Sequence, residues 1–357
     1  MTDPIALLRE LVEIESPTFS PGVRRVAERL AAELETAGAS TRFLDGDHLI
    51  AELDGHGEPL LVLGHGDTVW PEGTLEQMPF RLENGRAYGP GTYDMKGCLV
   101  VLVEAIRRAG PGRRALRVFL TADEEQASRT ARSHIERAAE DVAAALVVEP
   151  PGPGGELKTA RKGLGRFTLT VTGRSAHVAV RPREGVSAIE ELAHQVLALH
   201  GLDDDGRGLA FNVGVVHGGT SENVVAASAE AKVDVRVKST ADLARAEQVL
   251  ASLTPVLEGT SLSISGGWTR PPLEPSPGSA LLFAKAHEHG RKLGLDLHEG
   301  SSGGGSDGNL VGVLGVAVLD GLGVDGGGAH GPDEHALLES LPMRAELLAR
   351  LLCDPGI

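Results

Sequence analysis

Short apolar runs that stop abruptly on acids or histidines recur through the first 150 residues, and they limit the possible folds more than any other feature. Leu60-Leu61-Val62-Leu63-Gly64 runs into His65-Gly66-Asp67. Leu116 to Thr121 runs into Asp123-Glu124-Glu125, and Ala144 to Val148 runs into Glu149. Apolar runs this short, bounded by glycine, proline or charge, read as buried strands. Helical patterns lie between them, over Pro4 to Glu15, Gly22 to Ala37, Leu99 to Ala109 and Ser128 to Ala139. Strands alternating with helices predict an α/β layer around a central mixed sheet. In open α/β sheets, ligands gather beyond the carboxyl ends of the strands, where three of these polar groups stand.

The pattern changes after the breaker cluster Pro150 to Gly155. A strand over Gly165 to Gly173 is followed by a helix from Glu184 to His200 and strands over Leu209 to His217 and Ala227 to Lys238. A helix from Thr240 to Glu258 and a strand over Ser261 to Ser265 complete a β-α-β-β-α-β, ferredoxin-like order. Ala231, Val233, Val235 and Val237 fall on one face of their strand, with Lys232, Asp234, Arg236 and Lys238 on the other. Pro271, Pro272 and Pro275 form a second breaker cluster. The helix from Gly278 to Leu293, a glycine-rich tract and a last helix from Leu338 return to the first style. The expectation is a discontinuous larger domain, residues 1–161 with 271–357, carrying an inserted smaller domain over 162–270.

Composition removes several function classes. The formal charge is −16, and no basic patch offsets it, which argues against a nucleic-acid partner. No apolar stretch reaches the roughly 18 residues of a membrane helix, and Met1 to Glu15 reads as an amphipathic helix, not a signal peptide. Cys98 and Cys353 are too few for a disulfide framework or a cysteine zinc site, and the cytoplasm is the expected compartment. Glycine is in excess, with 47 residues, of which 13 fall between 300 and 331. That excess reflects either linkers or backbone crowded against a site.

Five positions carry metal-compatible chemistry. They are His65, Asp94 in Gly89-Pro90-Gly91-Thr92-Tyr93-Asp94-Met95-Lys96-Gly97, one of the Glu124-Glu125 pair, Glu149, and His330 at the end of the glycine tract. Taken singly, each is ordinary: a lone His-x-Asp is mostly chance, and Asp123-Glu124-Glu125 is more often a solvated turn. The weight lies in the group. Histidine with carboxylates and no cysteine suits zinc in a catalytic site. One bridging carboxylate and four terminal ligands can hold two divalent ions about 3.5–4 Å apart. Asp67 shares a side with His65 and can hold its ring. Glu124 and Glu125 point to different sides, so one can bind metal while the other serves as general base. Their spacing does not say which does which. Other candidates fall away. Cys98 reads as a small core residue, and Gly303 to Gly305 lacks a P-loop's lysine and has no clear preceding strand. Ser175 and His177 have no positioned acid, His287 and His289 read as surface, and His335 competes weakly with His330.

Together, Gly64 to Val69, Tyr88 to Gly97, Asp123-Glu124-Glu125, Glu149-Pro150, Gly303 to Asn309 and His330 resemble the co-catalytic di-zinc aminoacylase/carboxypeptidase family. That family includes glutamate carboxypeptidase of the carboxypeptidase G type, acetylornithine deacetylase and succinyl-diaminopimelate desuccinylase. The resemblance spans essentially the whole chain. It implies that His65 and Glu149 ligate one zinc, that Glu125 and His330 ligate the other, and that Asp94 bridges them. Glu124 would be the general base, with Asp67 behind His65. His177 matches a lid histidine that reaches the partner subunit's active site. Asn223 and Arg236 match lid positions that hold the substrate carboxylate, and Gly305 and Ser306 fall in the substrate loop. The Gly-Pro-Gly form at 89–91, where many relatives have Gly-Arg-Gly, and Val69-Trp70-Pro71 are similar to the glutamate-carboxypeptidase branch.

The expected activity is hydrolysis of an amide beside a free carboxylate in a small peptide or N-acyl amino acid. A glutamate-carboxypeptidase-like exopeptidase leads, with Arg270 as a second cation for an acidic side chain and Lys158 behind it. An N-acyl amino acid deacylase is the alternative, and a non-catalytic metal-binding protein a remote one. Two Zn2+ are expected, with Co2+ or Mn2+ as substitutes, and a homodimer formed through an edge strand and helix of the lid.

Overall fold

The computed structural model describes residues 2–181, 183–202 and 208–357. The chain forms two compact units. The first comprises Met1–Ala160, Glu274–Ser302 and Ser306–Ile357, and the second Arg161–Leu273 with Gly303–Gly305. The principal strands are β1 (Ser40–Phe43), β2 (Leu49–Leu53), β3 (His56–His65), β4 (Arg114–Thr121), β5 (Ala144–Val147), β6 (Gly163–Thr172), β7 (Leu209–Gly218), β8 (Ser228–Val237), β9 (Ser261–Arg270) and β10 (Val318–Leu319). The principal helices are α1 (Pro4–Val12), α2 (Pro21–Thr36), α3 (Gly97–Ala109), α4 (Ala188–His200), α5 (Thr240–Ser252), α6 (Pro277–Lys292) and α7 (Ser340–Leu352).

The first unit is built on a six-stranded sheet in the order β1-β2-β4-β3-β5-β10. The strands β4, β3, β5 and β10 run parallel, and β1 and β2 run antiparallel at one edge. Leu60 to Leu63 are fully buried, as expected of a parallel strand covered on both faces. The registers His65 with Thr121 and Leu63 with Val147 bring the carboxyl ends of β4, β3 and β5 side by side. The polar groups that follow those strands are therefore delivered to one edge of the sheet.

The second unit is an antiparallel sheet in the order β7-β8-β6-β9, with α4 and α5 as its helices. This is the ferredoxin-like arrangement, in which the central strands β6 and β8 are the first and third in chain order. Ala231, Val233, Val235 and Val237 are buried with Leu169, Phe211 and Leu192 in its core.

Several local expectations fail: the helix expected from Glu184 begins at Ala188, and that expected to reach Glu258 ends at Ser252. The helix expected from Ser128 begins only at Arg132, because Ala127 and Ser128 take left-handed backbone angles, φ 66° and 51°. The Ser128 hydroxyl instead donates to Asp307. A strand, Glu299–Ser302, does precede Gly303; it pairs with Leu157–Arg161 and carries no apolar run by which to recognise it. His289 is not a plain surface residue, since its Nε2 lies 2.8 Å from Asp354 Oδ2. Among the described residues, no helix is long and apolar enough to cross a membrane.

Candidate metal centre

His65 is the last residue of β3 and is buried. Its ring is fixed from behind: Nδ1 lies 2.9 Å from the Asp67 carbonyl and 3.3 Å from Asp67 Oδ1. With Nδ1 donating, Nε2 carries the lone pair and faces forward. In front of it stand Asp94 Oδ1 at 3.3 Å and Glu149 Oε1 at 3.5 Å. The other oxygen of Asp94, Oδ2, lies 3.4 Å from His330 Nε2, which is also 3.3 Å from Glu125 Oε1. One carboxylate thus faces two histidine–glutamate pairs, one through each oxygen.

Glu124 and Glu125 both reach this centre. Ligand-type atoms of His65, Glu124 and Glu149 lie within 4.8 Å of one another, as do those of His65, Asp94 and Glu125. The turn that carries the two glutamates is held by Asp67, whose carboxylate accepts the Glu124 and Glu125 N–H groups at 3.1 Å each and the Thr18 hydroxyl at 2.8 Å. Asp67 therefore orients the His65 ring and the glutamate turn together.

Asp94 sits in the tight turn Thr92–Lys96 that leads into α3, and its peptide to Met95 is cis. Gly91 precedes the turn at φ 74°. Gly97 follows it, and a side chain there would lie 2.4 Å from the Thr92 carbonyl oxygen. Only glycine fits both positions without displacing the turn.

The carboxylates shape the titration of the histidines. Asp94, then Glu125, push His330 up to about 10. Burial works against protonation of His65, but Asp67 and Asp94 beside it raise its value nonetheless. Burial likewise opposes ionisation of Asp94, and His330 and His65 outweigh it and hold its carboxyl below the ordinary carboxylate range. Five side chains of this chemistry, with donor atoms 3.3–3.5 Å apart around a shared carboxylate, fit a pair of divalent ions. His335 does not compete with His330; its Nδ1 faces the Asp333 carbonyl and its ring lies against Tyr88.

The other residues singled out in the sequence have the following local surroundings. Ser306 is buried, and its hydroxyl donates to Asp320 at 2.6 Å. His177, Asn223, Arg236, Arg270 and Gly305 belong to the second unit. His177 and Val224 form an isolated bridge, and the exposed His177 ring accepts the Ala179 N–H on Nδ1 at 3.2 Å. Asn223 Oδ1 accepts from Ser221. Arg236 is not an open fork as its polar strand face suggests: Nε and Nη2 bind Asp234 at 2.6 and 3.1 Å, and Nη1 donates to the Gly303 carbonyl. Asp234 lies two residues away on the same face, which makes that pairing immediate. Arg270 is buried, and a side chain at Gly305 would lie 2.5 Å from its Cδ.

The sequence pattern of peptidase family M20/M25/M40 matches residues 61–354, which contain all five ligand candidates. The chain belongs to this family. It is 30% identical over 369 residues to carboxypeptidase G2 of Pseudomonas sp. (strain RS-16), covering 99% of this chain and 89% of that protein. It is 28% identical to the succinyl-diaminopimelate desuccinylase of Thioalkalivibrio sulfidiphilus, covering 99% and 98%. The fold matches the crystal structure of aminopeptidase PepT from Bacillus cereus with TM-score 0.82, at 22% identity over 98% of this chain and 97% of that one. It also matches an M20 family metallo-carboxypeptidase from Sulfolobus solfataricus with TM-score 0.78, at 17% identity over 99% of both chains.

The M20 chain is therefore a metal-dependent hydrolase. Sequence reasoning gives no role to two residues that matter to its centre. Asp307 is buried and accepts from the Thr121 hydroxyl at 2.5 Å and from the Ser128 hydroxyl. Glu334, four residues beyond His330, is fully buried among backbone N–H groups of the Asp94 turn. Its place shortly after a candidate ligand histidine was the only available signal.

Proposed function

We propose that this hydrolase is a glutamate-carboxypeptidase-like exopeptidase, cleaving the amide that joins a C-terminal acidic residue to an acyl or peptidyl group. The observation that carries the reading is the two-sided placement of Asp94, with one oxygen toward His65 and the other toward His330. On this reading two zinc ions would be held by His65 and Glu149 and by Glu125 and His330, with Asp94 shared between them. Histidines and carboxylates without thiolate suit zinc, with Co2+ or Mn2+ as substitutes. Two ions held there would polarise the scissile carbonyl and make water a stronger acid.

The remaining steps belong to the chain's own side chains. Glu124, close to His65 and Glu149 yet outside the five-ligand set, takes a proton from the attacking water and delivers it to the leaving amine. Asp67 keeps Glu124 in place through its backbone N–H. His177 accepts a hydrogen bond on Nδ1, so its Nε2 carries the proton and can donate to the developing oxyanion. Arg236, Asn223 and Arg270 receive the substrate's carboxylates, an incoming carboxylate competing with Asp234 for the Arg236 fork. Gly305 and Ser306 form the neighbouring loop. The Ser306 hydroxyl, committed to Asp320, shapes that loop.

We further infer a homodimer paired through β7 and α4, which expose Val215, Val216, Ile189 and Leu197. Two free thiols, one of them exposed, suit a reducing compartment, and we place the enzyme in the cytoplasm.

The test is Glu124→Gln with ion content measured. A fall in kcat of about 10²–10⁴-fold at full ion occupancy is expected, and full activity would sink the role. A panel of N-acyl glutamates, folate-like glutamates and acetylornithine, with and without chelator, decides the substrate class. Preference for acetylornithine would replace the exopeptidase reading with an N-acyl amino acid deacylase.

A further inference from the structure

Glu334 makes no ligand-type contact with the metal centre, yet it joins three of the segments that build it. Its Oε1 accepts the Tyr93 and Asp94 backbone N–H groups at 3.0 Å each. Its Oε2 accepts the Gly91 N–H at 3.0 Å and the Trp70 indole N–H at 2.7 Å. The Gly89 N–H donates to its main-chain carbonyl. Trp70 lies five residues after His65, Gly91 to Asp94 is the turn carrying the shared carboxylate, and Glu334 follows His330 by four residues.

A fully buried carboxylate is costly unless its charge is met by donors. Here two oxygens meet four N–H groups, an arrangement of charge-assisted bonds that a neutral side chain cannot reproduce. The Lys96 side chain, also buried, donates to the Ile14 carbonyl at 2.7 Å. The turn Thr92–Lys96 has irregular backbone at Asp94 and Met95, so regular helical bonding does not fix Asp94 in place. The Glu334 carboxylate supplies the missing constraint, gripping the Asp94 N–H directly.

We propose that Glu334 is a positioning residue that sets the Asp94 carboxylate between the two halves of the centre. Both ion sites then depend on a residue that ligates neither. This rests on the reading of Asp94 as the bridging ligand. Glutamine at this position is nearly isosteric and exposes the role: whichever way its amide turns, its NH2 faces a pair of N–H donors.

The experiment is titration of chelator-stripped full-length protein with Zn2+ by calorimetry, and with Co2+ by visible absorption. The proteins are wild type, Glu334→Gln, Trp70→Phe and His330→Ala. Glu334→Gln should weaken both ion sites by about 10-fold or more, the scale seen when outer partners of metal ligands are lost. His330→Ala should weaken mainly one. Trp70→Phe removes one of the four bonds and should weaken both sites by a few-fold. A purely structural role would lower the unfolding midpoint of stripped Glu334→Gln and leave its ion affinities at the wild-type level, which overturns the proposal. If Glu334→Gln does not fold, Trp70→Phe decides: unchanged binding of both ions overturns the proposal. Failure of wild type itself to bind two ions would instead overturn the reading of the centre.

Discussion

Asp67 shows how much one buried carboxylate organises. It faces the His65 ring, holds two consecutive N–H groups of the glutamate turn and accepts from Thr18. Asp67→Asn keeps its shape but sets an amide NH2 against an N–H donor. We expect about 1–3 kcal/mol lower stability by chemical denaturation and about 10–100-fold weaker ion binding by titration. Wild-type values for both would show that the carboxylate is incidental. The histidines carry a pH signature. Because Asp94 and Glu125 push His330 up to about 10, it keeps its proton at neutral pH until an ion displaces it. Ion binding to stripped protein should therefore release protons near pH 7, and affinity should rise with pH. In stripped protein the stabilisation from this charged histidine is complete below about pH 6.5 and is lost as pH rises through about 10. Calorimetry in buffers of different ionisation heat counts the protons, and a count of zero at pH 7 would refute the assignment. The candidate ligands could be named from the sequence because each follows a recognisable strand or motif. The roles of Glu334 and Asp307 could not, since they come from donors distant in the chain, backbone N–H groups for Glu334 and the Thr121 and Ser128 hydroxyls for Asp307.

At the scale of elements, the sequence was legible wherever an apolar run or a two-residue alternation was long enough to set a period. The strands β3, β4, β5 and β8 are of that kind. The short pairings Arg81–Glu83 with Arg86–Tyr88, and Glu299–Ser302 with Leu157–Arg161, were not legible, because strands of three to five residues whose buried positions include Thr159 and Arg161 carry no apolar alternation. Turns were legible only through glycine, and Gly97 shows why. In an open helix, replacing glycine by alanine stabilises by about 1 kcal/mol. At the first residue of α3 the added methyl would lie 2.4 Å from the Thr92 oxygen and 2.9 Å from Val324 Cγ1. We therefore expect Gly97→Ala to destabilise by about 1–3 kcal/mol in urea unfolding and to weaken ion binding as the Asp94 turn shifts. An increase in stability would mean that the turn yields easily and that Asp94 is not rigidly placed.

At the scale of the molecule, the question is whether one chain holds a complete site. The outer strand β7 of the second unit has exposed residues along most of its second half, including Val215 and Val216, and α4 exposes Leu197. An unpaired edge strand with exposed apolar side chains invites pairing with a second copy. If lids pair and His177 serves the neighbouring site, two inactive variants can repair each other. Mix Glu124→Gln chains with His177→Asn chains and allow subunits to exchange. In each mixed dimer one site then collects both lesions, while the other has Glu124 from one chain and His177 from its partner. Half of the dimers are mixed and half of their sites are intact, so activity should recover to about a quarter of wild type. If His177 serves its own chain, every site keeps one lesion and nothing recovers. Leu197→Glu combined with Val216→Glu should leave a monomer by sedimentation and abolish the recovery. A monomeric wild type with full activity would remove the need for a partner altogether, and with it the assignment of His177 to the neighbouring site.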